Sequence, residues 1–273
     1  TVNCRYAETS ATLSMNFTVC ADLATNPARF CAALAVVPTM DAAASIPQFT
    51  QPAETHRSGT ITFVHSGGRS FGITCWHVVQ ALRDANRTGT HHQLRTMLNG
   101  FYAVQDRFVR PSPTLGQPSP DVAIRELHPD FASALGKEEL RIDDMPDTPQ
   151  EVRFGYAVGF PENLKRRLEE DGGYRVAMPQ CSVIAEISRK PDQRFVLHSN
   201  LHREDVAHEQ FSGMSGGPIF WSDASDFGIY GIVYEGDAKP GNEDTADVFV
   251  FGELATPETI KGWVSQVPSI TVR

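Results

Sequence analysis

The sequence predicts an all-β fold, built as barrels or sandwiches and closed by one C-terminal helix. Three observations carry this. Short apolar runs recur along most of the chain, including "GTITFVHS", "RSFGITC", "DVAIREL" and "DVFVFGEL". Turn-forming Gly, Pro and Ser clusters punctuate them, and few helical patterns lie between. Near the end, Thr256 offers an N-cap and Pro257 a first helical residue, with Ile260, Trp263, Val264 and Val267 falling on one face. A chain of 273 residues is long enough for one large domain or two modest ones.

Residues 1–54 are Ala- and Thr-rich with scattered prolines, and read as an N-terminal extension of unknown role. Within them, "ARFCAALAVV" suits either a short helix or an apolar strand. Residues 55–135 open with two strands joined by a Ser-Gly-Gly turn, with apolar alternation at Ile61/Phe63 and Phe71/Ile73/Cys75. A short helix, "VVQALRDANR", follows, and then strands in "FYAVQDRFVR" and "DVAIREL". The intervening "RPSPTLGQPSP" is loop, because its four prolines cannot sit inside a sheet. Residues 136–150 are polar and read as a linker. Strands resume across 151–255, and residues 256–267 are the terminal helix.

Composition excludes several functions. Net charge is −9, and the basic cluster "LKRRL" is followed at once by acids, so no basic stripe for nucleic acid is present. No apolar run approaches the ~20 residues of a membrane span. Five cysteines, with no CxxC spacing, suit neither a disulfide framework nor a zinc knuckle. Reduced thiols in a cytoplasm are the favoured reading; a Cys4–Cys20 or Cys20–Cys31 bridge, and secretion with it, stays open. The histidines show no H-E-x-x-H spacing, so neither a metal nor an organic cofactor is expected.

The stretch "HEQFSGMSGGPIFW", residues 208–221, points to chemistry. A serine hydroxyl attacks at neutral pH only beside a base, usually histidine, which a carboxylate must orient. It also needs backbone N–H groups aimed at the developing oxyanion. "GMSGGP" surrounds Ser215 with glycines that free the backbone for this. The same residues match the G-x-S-x-G elbow of α/β-hydrolases, but that order needs a histidine after the serine, and none follows residue 215.

The remaining order is His, Asp, Ser. "ITCWHVV", "SPDVAIREL" and "GMSGGPIF" resemble the three catalytic segments of the chymotrypsin-like (trypsin-fold) serine proteases, and "YGIVYEG" resembles the strand lining their cleft. The motifs fall in family order, 44 and then 94 residues apart, and the resemblance spans roughly residues 57–268. It implies two six-stranded antiparallel β-barrels packed together, with the site between them. It also implies Ser215 as nucleophile, His77 as general base and Asp121 as its orienting acid. Gly213 and Ser215 would supply the oxyanion-hole N–H groups. The resemblance further implies an extended polypeptide substrate paired along Tyr234, Glu235 and Gly236. Acids at Glu209, Glu235 and Asp247 would favour cleavage after Arg or Lys.

The pattern departs from secreted zymogens. Met214 stands where many relatives carry an Asp that pairs with a new N-terminus, and Val78 follows His77 where secreted members carry a cysteine. The resemblance is therefore closer to bacterial or intracellular trypsin-like peptidases, with a regulatory partner or a missing domain as a candidate gate. The competing readings are a catalytically silent binding or scaffold protein on the same fold, a protease active only with a partner, and an esterase using the same three residues.

Overall fold

The computed structural model describes residues 18–38, 57–88, 91–97, 101–113, 116–170, 173–202, 211–240 and 245–269. The first half contains α1 (Ala21–Thr25), β1 (Cys31–Pro38), β2 (Ser58–Ser66), β3 (Arg69–Thr74), α2 (Trp76–Arg87), β4 (His92–Met97), β5 (Phe101–Val104), β6 (Ala123–Glu126), α3 (Phe131–Ala134) and β7 (Leu140–Arg141). Six strands form one antiparallel path in the order β5-β4-β1-β2-β3-β6, and β7 adds to β2 in parallel. The path curls back on itself. Val109, just past β5, exchanges both backbone hydrogen bonds with Ile124 of β6, at 2.8 and 2.9 Å. One residue pair, rather than a ladder, joins the two ends, because Pro111 and Pro113 follow at once and have no N–H to extend it.

The second half contains β8 (Phe154–Gly159), β9 (Arg166–Glu170), β10 (Gly173–Ala177), β11 (Cys181–Arg189), β12 (Arg194–His202), β13 (Pro218–Ser222), β14 (Phe227–Pro240), β15 (Thr245–Leu254) and α4 (Pro257–Val264). Six of these strands close into an antiparallel barrel, β11-β12-β15-β14-β13-β8, while β9 and β10 form a separate hairpin. Its interior is apolar, with Phe195, Leu197, Ile219, Val248 and Val250 buried. The Thr256 hydroxyl caps α4 by accepting from the Thr259 N–H at 3.4 Å, and Ile260 and Trp263 pack inward. This is the trypsin-like architecture: a closed barrel, a curled sheet beside it, and a C-terminal helix.

Two boundaries read from the sequence differ from the structure. Residues 31–38 are not extension but β1, a central strand between β2 and β4. Cys31 through Val37 are all buried, so both faces of the strand are covered and its sequence shows no alternation. Residues 136–150 are not bare linker either: Leu140 and Ile142 are buried. There Asp143 accepts from the Gly67 N–H at 2.7 Å and the Ser66 hydroxyl at 3.1 Å. It thus holds the Ser-Gly-Gly turn, whose Gly67 and Gly68 have φ of 57° and 72°. Cys20, Cys31 and Cys75 are buried and free, so no Cys20–Cys31 bridge forms. Among the described residues no helix is long and apolar enough to cross a membrane.

The segment before β1 ties the halves together. Phe30 meets Phe220 of β13 at 6.0 Å and Phe227 of β14 at 5.9 Å, while the Cys20 N–H donates to the Ser222 hydroxyl at 2.8 Å. Phe30→Ala should therefore destabilise the whole molecule by ~3 kcal/mol in a urea titration, since it empties a buried aromatic site shared by both halves. Loss confined to a local N-terminal transition would contradict that placement.

Candidate active site

The three motif residues lie at element ends where strands meet. His77 is the second residue of α2, directly after β3. Asp121 precedes β6, the strand paired with β3, so the ladder brings the two together. The His77 Nδ1 and Asp121 Oδ2 lie 2.5 Å apart, and the His77 N–H donates to Asp121 Oδ1 at 3.1 Å. Burial works to raise the Asp121 carboxyl. The hydrogen bonds and charge of His77, with Arg110 nearby, outweigh it and hold the group below the ordinary carboxylate range. The His77 side chain is half exposed and Asp121 is largely covered.

Ser215 sits in the loop before β13 and is 7% exposed. The first sheet holds this loop through buried threonines. The Thr60 N–H donates to the Ser215 carbonyl at 2.8 Å, the Thr60 hydroxyl to Gly213 O at 2.9 Å, and the Thr62 hydroxyl to Gly216 O at 2.7 Å. Gly216 has φ of 95°, and a Cβ there would lie 2.0 Å from Thr60 O, so only glycine fits. Beneath the loop Met214 is fully buried against Gly159, an apolar contact in place of an ion pair.

His77 and Ser215 are brought to one place from opposite halves. Val233 O accepts both the Cys75 thiol at 3.0 Å and the Gly216 N–H at 2.7 Å. Cys75 stands two residues before His77, and Gly216 one after Ser215. The structure does not bond the two directly: the Ser215 hydroxyl donates to Tyr234 O at 3.1 Å. The Ser212 carbonyl accepts from the Glu162 N–H at 2.5 Å, and among the described residues no peptide is cis. The Gly213 N–H therefore points the other way from that bond. Among the described residues neither the Gly213 nor the Ser215 N–H donates to a protein acceptor.

The remaining sequence candidates divide. Tyr234, Glu235 and Gly236 continue β14 past the nucleophile loop, where β13 no longer pairs with it. Glu235 is exposed there, and Phe211 packs on Gly236. Asp247 lies on the outward face of β15, with its Oδ1 3.1 Å from His198 Nε2. The His198 ring stacks on Phe249, 4.7 Å between centroids. Glu209 lies outside the described residues. Sequence reasoning missed Thr60, Thr62, Thr74 and Cys75 as supports of the site. The one signal was their polar or thiol character in a strand-rich stretch.

Cys75, His77 and Asp121 place potential ligand atoms within 4.8 Å of one another. They do not make a metal cage. Burial, then the charges of Asp121 and Glu253, push the Cys75 thiol well up, so it stays protonated and donates to Val233 O. His77 Nδ1 is already taken by Asp121.

The fold is a trypsin-like architecture, and it carries a paired imidazole and carboxylate at His77 and Asp121. No protein-family model and no curated protein matches the chain. Solved structures do resemble it. A thermostable serine protease, AL20, from an extremophilic microorganism is 12% identical, with a TM-score of 0.49 over 87% of this chain and 96% of its own. The protease Anisep from Arthrobacter nicotinovorans is 12% identical, with a TM-score of 0.44 over 86% and 93%. Deg5 is 12% identical, with a TM-score of 0.41 over 82% and 86%.

Thr62→Val should cost about 1–3 kcal/mol in urea unfolding, because the buried Gly216 carbonyl loses its donor. Thr62→Ser, which keeps the hydroxyl, should recover most of that. Equal losses in both variants would show that the methyl group, not the hydrogen bond, matters.

Proposed function

We propose that this protein is a serine endopeptidase working through an acyl-enzyme. The observation that carries the reading is the His77–Asp121 pair, set beside a glycine-rich serine loop with two unspent N–H groups. With Nδ1 bonded to Asp121, Nε2 is the free base. An extended peptide pairing with β14 offers its own N–H to Tyr234 O, which releases the Ser215 hydroxyl to turn toward Nε2. Oγ then bonds to the carbonyl carbon as its proton passes to His77, and the oxyanion takes the N–H groups of Gly213 and Ser215. The C–N bond breaks as His77 returns the proton to the amine. Water, activated by the same imidazole, then frees the acid and Ser215.

A second reading, a latent protease that needs a partner, draws on the bond between Ser215 Oγ and Tyr234 O. It shares every residue role and differs in the resting rate.

For the residue before the cut the reading is Arg or Lys, on the charges of Glu209, Glu235 and Asp247. Asp247 is already engaged by His198, so Glu209 and Glu235 carry most of it. The extended peptide substrate is part of the same proposal.

A fluorophosphonate probe should label Ser215, and Ser215→Ala should abolish both labelling and casein hydrolysis. Labelling of the Ala variant at the wild-type level would remove the assignment. Asp121, held low by its His77 contacts, should stay ionised through the ordinary carboxylate range, and an NMR pH series that sees its carboxyl titrate within that range would contradict the pairing. In a library varied at the residue before the cut, Arg and Lys should lead, and Glu235→Gln should lower their preference severalfold. A library indifferent to charge would leave the hydrolase and remove its specificity.

A further inference from the structure

Glu253 is a carboxylate in an unexpected place. It lies on the outward face of β15, where Asp247, Phe249 and Phe251 are half-exposed, yet it is only 4% exposed. The segment carrying Asp121, from the first half of the chain, lies against it. Its Oε1 accepts from Arg194 Nη2 at 2.9 Å and Nε at 3.0 Å, and from the Asp121 N–H at 3.1 Å.

Asp121 is thus gripped at four atoms. Its carbonyl accepts from the Trp76 N–H at 3.3 Å, and its two carboxylate oxygens meet the His77 N–H and Nδ1. Those three contacts come from its own half of the molecule. The fourth, to Glu253, comes from the barrel that carries Ser215.

Arg194 extends the link. Its guanidinium sits over the Tyr234 ring, 4.9 Å from the centroid, and the Tyr234 carbonyl is the acceptor of the Ser215 hydroxyl. The other charges facing this group are Asp192, 3.8 Å from Arg194, and Arg110, beside Asp121. Without Arg194, Glu253 would be an uncompensated carboxylate beside Asp121 in one covered region.

We propose that Glu253, neutralised by Arg194, is a positioning residue that fixes Asp121 against His77 and locks the two halves of the site in register. It reaches no substrate; it acts through the Asp121 backbone. The inference rests on the reading of His77, Asp121 and Ser215 as hydrolytic machinery, but its geometry is measurable without turnover.

The test uses the full chain and two readouts. One is the far-downfield proton resonance of a short imidazole–carboxylate hydrogen bond, which reports His77 and Asp121 directly. The other is the rate of fluorophosphonate labelling. Glu253→Ala should lose or shift the resonance and slow labelling by ~10-fold or more, with the circular dichroism of the folded protein retained. Glu253→Gln keeps the acceptor and should retain the resonance and most of the rate. Should Glu253→Ala fail to fold, Glu253→Gln and Arg194→Lys carry the test: the resonance must survive the first and weaken in the second. A wild-type resonance and rate in Glu253→Ala would overturn the proposal, and so would a wild-type protein with no such resonance. A wild-type protein that shows the resonance but is never labelled would sink the hydrolase reading and leave the positioning role standing.

Discussion

The nucleophile loop carries more backbone polar groups than its own turn can satisfy, and the first sheet satisfies them. Three of its carbonyls, those of Gly213, Ser215 and Gly216, accept donors from Thr60 and Thr62 of β2. Thr74 backs these by donating its hydroxyl to Thr60 O at 2.8 Å. Each such bond contributes ~1 kcal/mol when made, but leaving one buried partner bare costs more. The halves are therefore bound by a condition on solvation as much as by apolar packing. With those carbonyls held, the loop's N–H groups at Gly213 and Ser215 face away from protein acceptors. A site that needs free donors is made by giving the neighbouring acceptors somewhere else to go.

Much of this was legible in the sequence, and what was not has physical reasons. Alternation marked β2 and β3, and a cap with a proline marked α4. The motifs also brought His77 and Asp121 together, and the structure pairs them at 2.5 Å. Alternation needs one wet face, however, and β1 has none, so it read as ambiguous extension. The polar side of β2, Thr60 and Thr62, looked like any outward face, because a strand pattern does not say what lies against it. Glu253 was invisible for the same reason: in "DVFVFGEL" it holds an outward position, and its burial comes from a loop distant in sequence. The polar composition of 136–150 hid two buried residues, Leu140 and Ile142.

A second nucleophile type stands two residues from His77, and the structure decides between them. Cys75 would be the stronger nucleophile as a thiolate. It is fully buried, its proton is held by desolvation and by the carboxylates of Asp121 and Glu253, and that proton is already donated to Val233 O. The carboxylates of Asp121 and Glu253 oppose a thiolate beside them. Burial first, and the neighbouring carboxylates second, thus keep the thiol neutral.

The acceptors that organise this cleft, Val233 O and Tyr234 O, belong to consecutive residues. In a regular strand successive carbonyls point to opposite edges, so one edge could not present both. The ladder between β14 and β15 shifts register here: Val233 pairs with Gly252 and Glu235 with Phe251, leaving Tyr234 as the extra residue. A bulge of this kind lets neighbouring carbonyls turn the same way. Val233 O then takes the Cys75 thiol and the Gly216 N–H, while Tyr234 O takes the Ser215 hydroxyl. One inserted residue in a barrel strand thereby sets two acceptors on a single edge. The first holds the frame that joins the Cys75 and Gly216 segments, and the second holds the Ser215 hydroxyl.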